Sequence, residues 1–293
     1  MSHGAIASIV LMNLKISFPE NSLFSYTEYK MHFRKFNFLL LLLGSMILSF
    51  RSDHFEFRKV VNNTFAPGEN IEFKVHYGFV TAGYGSARIL PYIEKYKGRD
   101  VYHVIGRGRS ASGFDWFFKV RDEFHSYIDV QSLAPLKFNK DQQEGSYANK
   151  DEALFDHANK LINNTKGKLT MPEYTQDVLS MMYYARCLNF KESPIGTIFS
   201  MSFYLDNEIN TIQFKIEARE NINTDIGTYR AIKIHPQVIA DRVFKDKDAV
   251  TLWVSDDANL LPLRIQADLV VGSIKADITK VSNLKNPADA LIK

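Results

Sequence analysis

The sequence predicts a mainly β fold, an antiparallel sheet that carries one packed central helix. Of its 293 residues, 22 are Phe and 14 are Tyr, against only 15 Gly and 9 Pro, and aromatic side chains fit the pleated, half-buried surface of a sheet. Apolar and polar residues alternate along many short segments, which is the period of a half-buried strand. Helical spacing of apolar residues is clear in one segment, residues 175–188.

The first predicted strand begins near Ile71. Ile71, Phe73 and Val75 fall on one face of it, while Glu72 and Lys74 fall on the other. Further strand-like runs are separated by turn residues, and they lie at residues 85–92, 101–108, 117–128, 136–139, 197–205, 211–219, 229–235, 249–255, 262–269 and 273–281. Residues 159–171 are typical of a hairpin whose turn lies at residues 163–167.

Residues 175–188 are predicted to form the helix. Apolar side chains recur there at helical spacing, and they are Val178, Met181, Met182, Ala185 and Leu188. Thr175 is the expected N-cap, because a hydroxyl just before the apolar stripe can accept a hydrogen bond from a free backbone N–H. Leu179 and Tyr183 widen the stripe, so we expect this helix to pack on the sheet.

The strongest targeting signal is Phe36–Phe50, an uncharged and strongly apolar run preceded by Arg34 and Lys35. A basic segment followed by about 7–15 apolar residues is the pattern of a secretory signal, whereas a bilayer span needs roughly 20. We therefore expect residues 31–52 to be a signal peptide and the protein to be exported to the periplasm or cell envelope. Because no Ala-x-Ala cleavage site follows, an uncleaved N-terminal membrane anchor stays open.

The segment before Met31 does not fit such a signal. We interpret Met31 as the true start and residues 1–30 as a gene-model extension, with a disordered leader as the alternative. Residues 66–283 are expected to form a single mainly antiparallel β domain, because no Pro- or Gly-rich linker divides them.

The composition excludes several classes of partner and scaffold. The net charge of +3 is too small for a nucleic-acid footprint. Four basic and two acidic side chains lie in residues 1–50, so the remainder carries a net charge of only +1. The lone Cys187 has no second cysteine to pair with, and it lies far from Phe36–Phe50. A disulfide scaffold and a lipid-modified N-terminal cysteine are both disfavoured.

Several sequence blocks resemble one protein family. The most specific are residues 177–180 (Asp-Val-Leu-Ser) and 253–257 (Trp-Val-Ser-Asp-Asp), and residues 76–79 (His-Tyr-Gly-Phe) and 118–122 (Phe-Lys-Val-Arg-Asp) fit as well. Over roughly residues 66–281 the chain resembles the bacterial domain-of-unknown-function family number 3108. The resemblance implies an exported, envelope-associated, mainly antiparallel protein, and it supplies neither an activity nor catalytic residues.

The expected architecture is an analogy between folds. By analogy with periplasmic lipoprotein carriers, we expect a curved antiparallel sheet, or a half-open barrel, around the central helix. An analogy between folds does not carry function, so any site has to be argued from individual residues.

The sequence lacks the signatures of common catalytic and metal sites. HExxH, GxSxG, a Walker loop and CxxC do not occur, and the eight histidines show no close metal-ligand spacing. We therefore expect no cofactor and no metal, and the pattern favours a protein that is not an enzyme.

Two adjacent carboxylates, Asp256 and Asp257, lie in the run Ser255–Asn259. We interpret this run as a tight turn, because Asp and Asn side chains bond their own backbone. A cation site or an acid–base pair stays open as the alternative, although neighbouring strand residues point to opposite faces.

The candidate ligand-binding residues lie on the helix and on one strand, and they are Met182, Tyr183, Tyr184, Arg186 and Trp253. On this hypothesis Arg186 pairs with an anionic head group. The alternative is that the tyrosines pack in the core and that Arg186 bonds a carboxylate such as Asp177 or Glu220. A second aromatic cluster, residues 114–118, is interpreted as core, with a sugar-stacking platform as its alternative.

We hypothesise an exported, non-enzymatic envelope protein that binds or carries an apolar or amphiphilic ligand, such as a lipid, in an apolar cavity between sheet and helix. Two alternatives stay open. One is a hydrolase of envelope polymers that uses carboxylates such as Asp256 and Glu220, and the other is an interaction protein that pairs an exposed edge strand with a partner. The sequence does not identify the ligand, a protein partner or the oligomeric state.

Overall fold

The computed structural model describes residues 55–237, 250–269 and 272–292. The predicted leader at residues 1–30 and signal or anchor at residues 31–52 lie outside the described residues. Over the described ranges, no helix is both long enough and apolar enough to cross a membrane.

The described chain forms fifteen strands and one helix. The strands are β1 (Asn70–Tyr77), β2 (Val80–Ile89), β3 (Glu94–Tyr96), β4 (Arg99–Ser110), β5 (Arg121–Asp129), β6 (Pro135–Glu144), β7 (Tyr147–Asp156), β8 (Leu161–Asn164), β9 (Gly167–Thr170), β10 (Ile198–Leu205), β11 (Glu208–Thr224), β12 (Gly227–Gln237), β13 (Val250–Ser255), β14 (Pro262–Asp268) and β15 (Ser273–Ser282). The helix, α1 (Val178–Ala185), lies between β9 and β10.

All fifteen strands belong to one sheet, and its paired strands run antiparallel. The order across the sheet is β10-β11-β12-β13-β14-β15-β1-β2-β4-β5-β6-β7-β8-β9, with β3 paired to β4. Strand β1 joins the two halves of the chain, because it pairs with β15 on one side and with β2 on the other.

The sheet curls so that its two edges approach each other. From the β10 edge, the Tyr204 hydroxyl donates to Asp151 Oδ2 of β7 at 2.5 Å. In the turn after β10, Asp206 forms an ion pair with Lys140 of β6, and Asn207 Oδ1 accepts from Asn164 Nδ2 at 2.7 Å. No backbone ladder joins β9 to β10 in the described sheet. The expected curved sheet or half-open barrel is therefore confirmed.

The N-cap of helix α1 is Asp177 rather than the predicted cap, Thr175. Asp177 Oδ1 accepts from the backbone N–H groups of Leu179 and Ser180, each at 2.8 Å, and the Ser180 hydroxyl accepts from the Asp177 N–H in return. This reciprocal capping box satisfies two donors that the helix leaves free. Ser126 of β5 donates to the other Asp177 oxygen at 2.6 Å, so the same residue also ties the helix to the sheet.

Strand β4 packs closely against the helix at Gly106. A Cβ placed on Gly106 would lie 2.7 Å from Leu179 Cδ2, which is closer than van der Waals contact allows. The absence of a side chain at Gly106 thus sets the distance between α1 and the sheet. Leu179 and Tyr183 are buried there with Phe65 and Val104.

Several local expectations were wrong. Strand β7 is missing from the predicted strands, because only Ala153 and Phe155 are buried along it and the alternation is largely polar. The predicted strand at residues 117–128 begins only at Arg121. The preceding segment belongs to the β4–β5 loop, where Trp116 and Phe117 are exposed, so the core interpretation of this aromatic cluster was also wrong.

Candidate functional site

The described residues surround an apolar cavity of about 310 Å³ between α1 and strands β11–β14. The helix side is formed by Val178, Met181, Met182 and Ala185. The sheet side includes Phe214 of β11, Leu252 and Val254 of β13, and Pro262 and Ile265 of β14. This volume is at the lower end of the range for small-molecule pockets.

The register of the sheet explains why this wall is apolar. Ile234 lies opposite Leu252, and Leu252 lies opposite Ile265. Side chains that are directly opposite each other across neighbouring strands point to the same face, so the three form one apolar row. At one end of the cavity Val254 and Leu260 are buried, whereas Ile265 is 39% exposed. The cavity is therefore deepest beside Leu260 and shallowest near Ile265.

Arg186 lines the deep end of the cavity, but its charge is already paired. Its guanidinium donates to both carboxylate oxygens of Glu69, at 2.6 and 2.9 Å, and to the carbonyl of Asn259 at 3.0 and 3.1 Å. Burial acts to lower the pKa of Arg186, but the hydrogen bonds that Arg186 donates to the Glu69 carboxylate outweigh it, so the pKa is held above its ordinary value. Because the Arg186 charge is paired with the Glu69 carboxylate, this part of the cavity wall is electrically neutral.

The two candidate tyrosines lie outside the cavity wall. Tyr183 is buried against the Phe65 ring, with the ring centroids 4.9 Å apart in an edge-to-face arrangement, and burial raises the pKa of its hydroxyl. Tyr184 is held by Arg58, whose guanidinium lies 4.4 Å from the ring centroid and donates to the Tyr184 hydroxyl at 3.3 Å. Both rings are engaged with the segment that precedes β1.

Trp253 lies on the opposite face of β13 from Leu252 and Val254. Its indole N–H donates to Glu220 Oε1 at 2.6 Å, and the cationic groups of Lys233 and Arg264 each lie 5.9 Å from its ring. Of the five residues predicted to bind a ligand, the structure therefore brings Met182 and Arg186 together at the cavity and places the other three elsewhere.

The carboxylates of the hydrolase hypothesis are engaged in other contacts. Asp256 pairs with Arg219 at 2.8 Å, while Glu220 accepts the Trp253 N–H. Asp257 holds the turn before β14, because its Oδ1 accepts from the Ser255 hydroxyl at 2.7 Å and from the Asn259 N–H at 3.0 Å. None of these three carboxylates lines the apolar cavity, and the turn interpretation of Ser255–Asn259 agrees with the contacts.

A polar network lies on the outer face of β4 and β5. His103 Nδ1 contacts Glu94 at 3.2 Å, and its Nε2 lies 2.8 Å from His125 Nδ1. His125 Nε2 in turn contacts Glu123 at 2.7 Å. Burial lowers the pKa of His103, which favours the neutral ring. In the described part of the chain, no three His, Cys, Asp or Glu side chains are grouped as a metal site would require.

The fold and the cavity together define a curved, half-open antiparallel β-sheet protein with one helix inside it. The chain matches the family described as "Protein of unknown function (DUF3108)" over residues 72–279, and it belongs to that family. No curated protein matches the sequence.

One solved structure shows a similar fold, and two others align with TM-scores below 0.5. A β-barrel-like protein of domain of unknown function DUF1849 from Brucella abortus aligns with a TM-score of 0.50 at 8% identity, covering 78% of this chain and 99% of that one. A candidate lipoprotein from Parabacteroides distasonis aligns with a TM-score of 0.31 at 12% identity, over 78% and 100% of the two chains. A candidate exported protein with a YmcC-like fold from Bacteroides fragilis gives 0.32 at 8% identity, over 77% and 100%.

Sequence reasoning missed most of the cavity wall. Phe214 and Leu252 lie in no motif, and Val254 belongs to the 253–257 block without being marked by it as a cavity residue. As strand residues, all three resemble packed core residues. The apolar alternation indicates that they face inward, but it does not indicate whether another side chain fills the space in front of them.

Proposed function

We propose that this protein is an exported, non-enzymatic binder or carrier of an amphiphile, whose apolar part lies between α1 and strands β11–β14. The observation that carries the proposal is the apolar cavity of about 310 Å³ with Met182 and Leu252 on opposite walls. Each methylene group that leaves water for such a site contributes about 0.8 kcal/mol. The flexible Met181 and Met182 side chains suit ligands of variable shape.

The charge distribution favours an amphiphile whose head group remains outside. The cationic group at the deep end, Arg186, is paired with Glu69, and inserting a second anion beside it would leave one negative charge unpaired in a buried place. The shallow end near Ile265 is the exposed end. The polar group of the ligand is therefore placed near Ile265, and the apolar chain points toward Leu260.

Export and envelope localisation belong to the same proposal. They are supported by the apolar run Phe36–Phe50 behind Arg34 and Lys35. The hydrolase alternative is not taken further, because Asp256 and Glu220 are held by Arg219 and Trp253 away from the cavity. The edge-strand alternative is weakened as well: β9 has four residues, and Gln176 covers part of the β10 edge by bonding the Ser202 carbonyl and the Tyr204 N–H.

The proposal is tested by titrating the full chain with dansyl-undecanoic acid, a fluorescent amphiphile. Leu252→Asp places a charge in the cavity wall, and we expect it to weaken binding at least roughly tenfold, since burying an unpaired charge is costly. Thr251→Asp is the matched control, because Thr251 neighbours Leu252 in β13 and points to the other face. We expect it to bind the probe as the wild type does.

Native mass spectrometry of the full chain, extracted from envelopes without solvent delipidation, gives an independent result. A reproducible added mass that is lost in Leu252→Asp and kept in Thr251→Asp supports the proposal. A bare polypeptide mass together with equal probe binding by both variants contradicts it.

A further inference from the structure

One end of the sheet carries a group of exposed apolar side chains on three neighbouring turns. We define the aromatic tip as Phe79, Val80, Trp116, Phe117, Phe118 and Tyr147. Phe79 is fully exposed, Trp116 is 85% exposed and Phe117 is 69% exposed. Exposed apolar groups of this kind mark an interaction surface.

The three turns are joined by backbone hydrogen bonds. The N–H of Ala111, in the β4–β5 loop, donates to the carbonyl of Ala82 at 2.9 Å, beside the β1–β2 turn. The N–H of Gly145, in the β6–β7 turn, donates to the carbonyl of Lys119 at 2.7 Å. The aromatic tip is thus a continuous feature of the sheet end rather than a set of separate exposed residues.

The β4–β5 loop holds Trp116 in its outward position. Arg121 donates to both oxygens of the neighbouring Asp115, at 2.6 and 3.1 Å, and Ser110 donates to the same carboxylate. The hydrogen bonds from Arg121 and then from Ser110 lower the pKa of Asp115 to about 2, so this carboxylate stays ionised and paired. Phe118 folds back over Gly145, where a Cβ would lie 3.1 Å from the ring.

We propose that the aromatic tip attaches the protein to the surface of a lipid bilayer. Its side chains project from three turns instead of lining a groove, and projecting rings can enter a fluid interface, whereas a protein partner would need a matching pit for each ring. Trp and Tyr have an apolar body and a polar edge, and both are enriched at the membrane–water interface.

The charges around the tip are compatible with a lipid surface. Arg109 lies with its guanidinium 4.5 Å from the Tyr84 ring, and Lys119 is exposed beside the aromatic residues. Asp122 and Glu144 lie at the base of the same turns, so the local net charge is small. We therefore expect the apolar side chains to dominate attachment and its salt dependence to be weak.

One edge of the cavity lies at the same end of the sheet as the aromatic tip. Pro236 near the end of β12 and Val250 at the start of β13 line the cavity. Because antiparallel strands reverse direction at each turn, these residues lie at the same end as the β1–β2 and β4–β5 connections. Transfer of an amphiphile between membrane and cavity rests on the proposed function, whereas membrane attachment does not.

The test uses the full chain and the fluorescence of Trp116. The chain has two tryptophans, and Trp253→Phe leaves Trp116 as the single emitter. Vesicles of phosphatidylcholine and phosphatidylglycerol are prepared with and without lipids brominated near the head-group end of the acyl chain. We expect Trp116 emission to shift to shorter wavelength on binding and to be quenched by the brominated lipids, while Trp253 in a Trp116→Phe variant is not quenched.

Because Phe36–Phe50 can itself bind membranes, sedimentation alone does not decide the question. Trp116 emission that stays unshifted and unquenched on vesicle-bound protein overturns the proposal. A triple variant, Phe79→Ser, Trp116→Ser and Phe117→Ser, should weaken vesicle partitioning roughly tenfold or more. The matched control replaces Val61, Tyr92 and Ile195, which are exposed elsewhere, by serine in the same way. Equal losses of vesicle partitioning in the two triple variants also overturn the proposal.

The outcome is distinguishable from failure of the proposed function. Dansyl-undecanoic acid binding in the absence of vesicles reports on the cavity alone, and the triple variant of the aromatic tip should leave it unchanged. Trp116 quenching measured in the double variant Trp253→Phe, Leu252→Asp reports on membrane attachment alone.

Discussion

The two sides of helix α1 meet the same sheet in different ways. On the packed side, Leu179 and Tyr183 press against β4 and the segment before β1, with Gly106 leaving room for Leu179. On the cavity side, Met181, Met182 and Ala185 face strands β11–β14 across about 310 Å³ of apolar space. One short helix thus packs against the sheet on one side and borders an apolar cavity on the other.

This difference separates residues that are packed in the core from residues that line unfilled apolar space. Protein cores are close-packed, so an unfilled apolar space loses dispersion contacts that a filled core would have. The Asp177 cap, the Glu69–Arg186 pair and the Tyr183–Phe65 contact all lie around the helix. These contacts hold α1 in place although it leaves the cavity open.

The largest expected effect on stability comes from breaking the Glu69–Arg186 ion pair. Glu69→Gln leaves the Arg186 guanidinium buried without a counter-charge, and we expect it to lower the free energy of unfolding by about 3–5 kcal/mol. Urea denaturation measures the change. Asp100→Asn is the control, because Asp100 pairs with Lys95 at the surface and such pairs contribute little. Equal midpoints for the two variants would contradict a structural role for Glu69–Arg186.

The second prediction compares how added side-chain volume changes stability on the packed side and on the cavity side of α1. Gly106→Val inserts atoms where Leu179 already lies within contact distance, and overpacking of this kind lowers the free energy of unfolding by about 1–3 kcal/mol. Ala185→Leu adds volume on the cavity side with almost no change in helix propensity, so we expect stability to be unchanged or raised. Thermal unfolding of the two variants checks the contrast, and a larger loss in Ala185→Leu would show that the cavity side is also closely packed.

The third effect is the pH dependence of the helix cap. Burial raises the pKa of Asp177 to about 6, against the action of its hydrogen bonds from Ser126 and from the helix backbone. An unfolded Asp titrates near 4, so the folded state binds more protons between these values and stability falls as pH rises from about 4 to 6. Asp177→Asn keeps a capping oxygen and removes this titration.

The measurement is the difference in urea midpoint between wild type and Asp177→Asn at a series of pH values. We expect the wild type to lose stability relative to the variant as the pH increases through this window, and to lose no more above it. Parallel pH profiles for the two proteins would contradict a titrating Asp177.

Much of the fold could be predicted from local pattern. The alternation of Ile71, Phe73 and Val75 predicts a strand because side-chain direction in a strand is a local property, and the spacing of Met181, Met182 and Ala185 predicts a helix for the same reason. Strand β7 was missed because its outward face is exposed and charged, and only two of its ten residues are buried. With so few buried positions, the sequence pattern of β7 cannot be distinguished from that of a polar loop.

The candidate site was predictable only in part. The position of Met182 on the inner face follows from helical spacing, and the structure places it on the cavity wall. Tyr183 also fits the helical spacing of apolar residues. It is buried away from the cavity because Phe65, more than a hundred residues earlier in the chain, packs against that side of the helix. Trp253 faces away from the cavity, and only the register of β13 shows which face is which.

By itself the sequence determined the fold class, the position of the helix, the turn at Ser255–Asn259 and the resemblance to the family, because each of these depends on residues close together in the chain. Only the tertiary structure decided that Arg186 is neutralised by Glu69, a partner 117 residues away. It also decided that the apolar side chains of β11–β14 leave a space in front of them, and that Trp116 and Phe117 project from a sheet end. Burial depends on which distant segments of the chain pack against a residue, and the local sequence pattern does not contain that information.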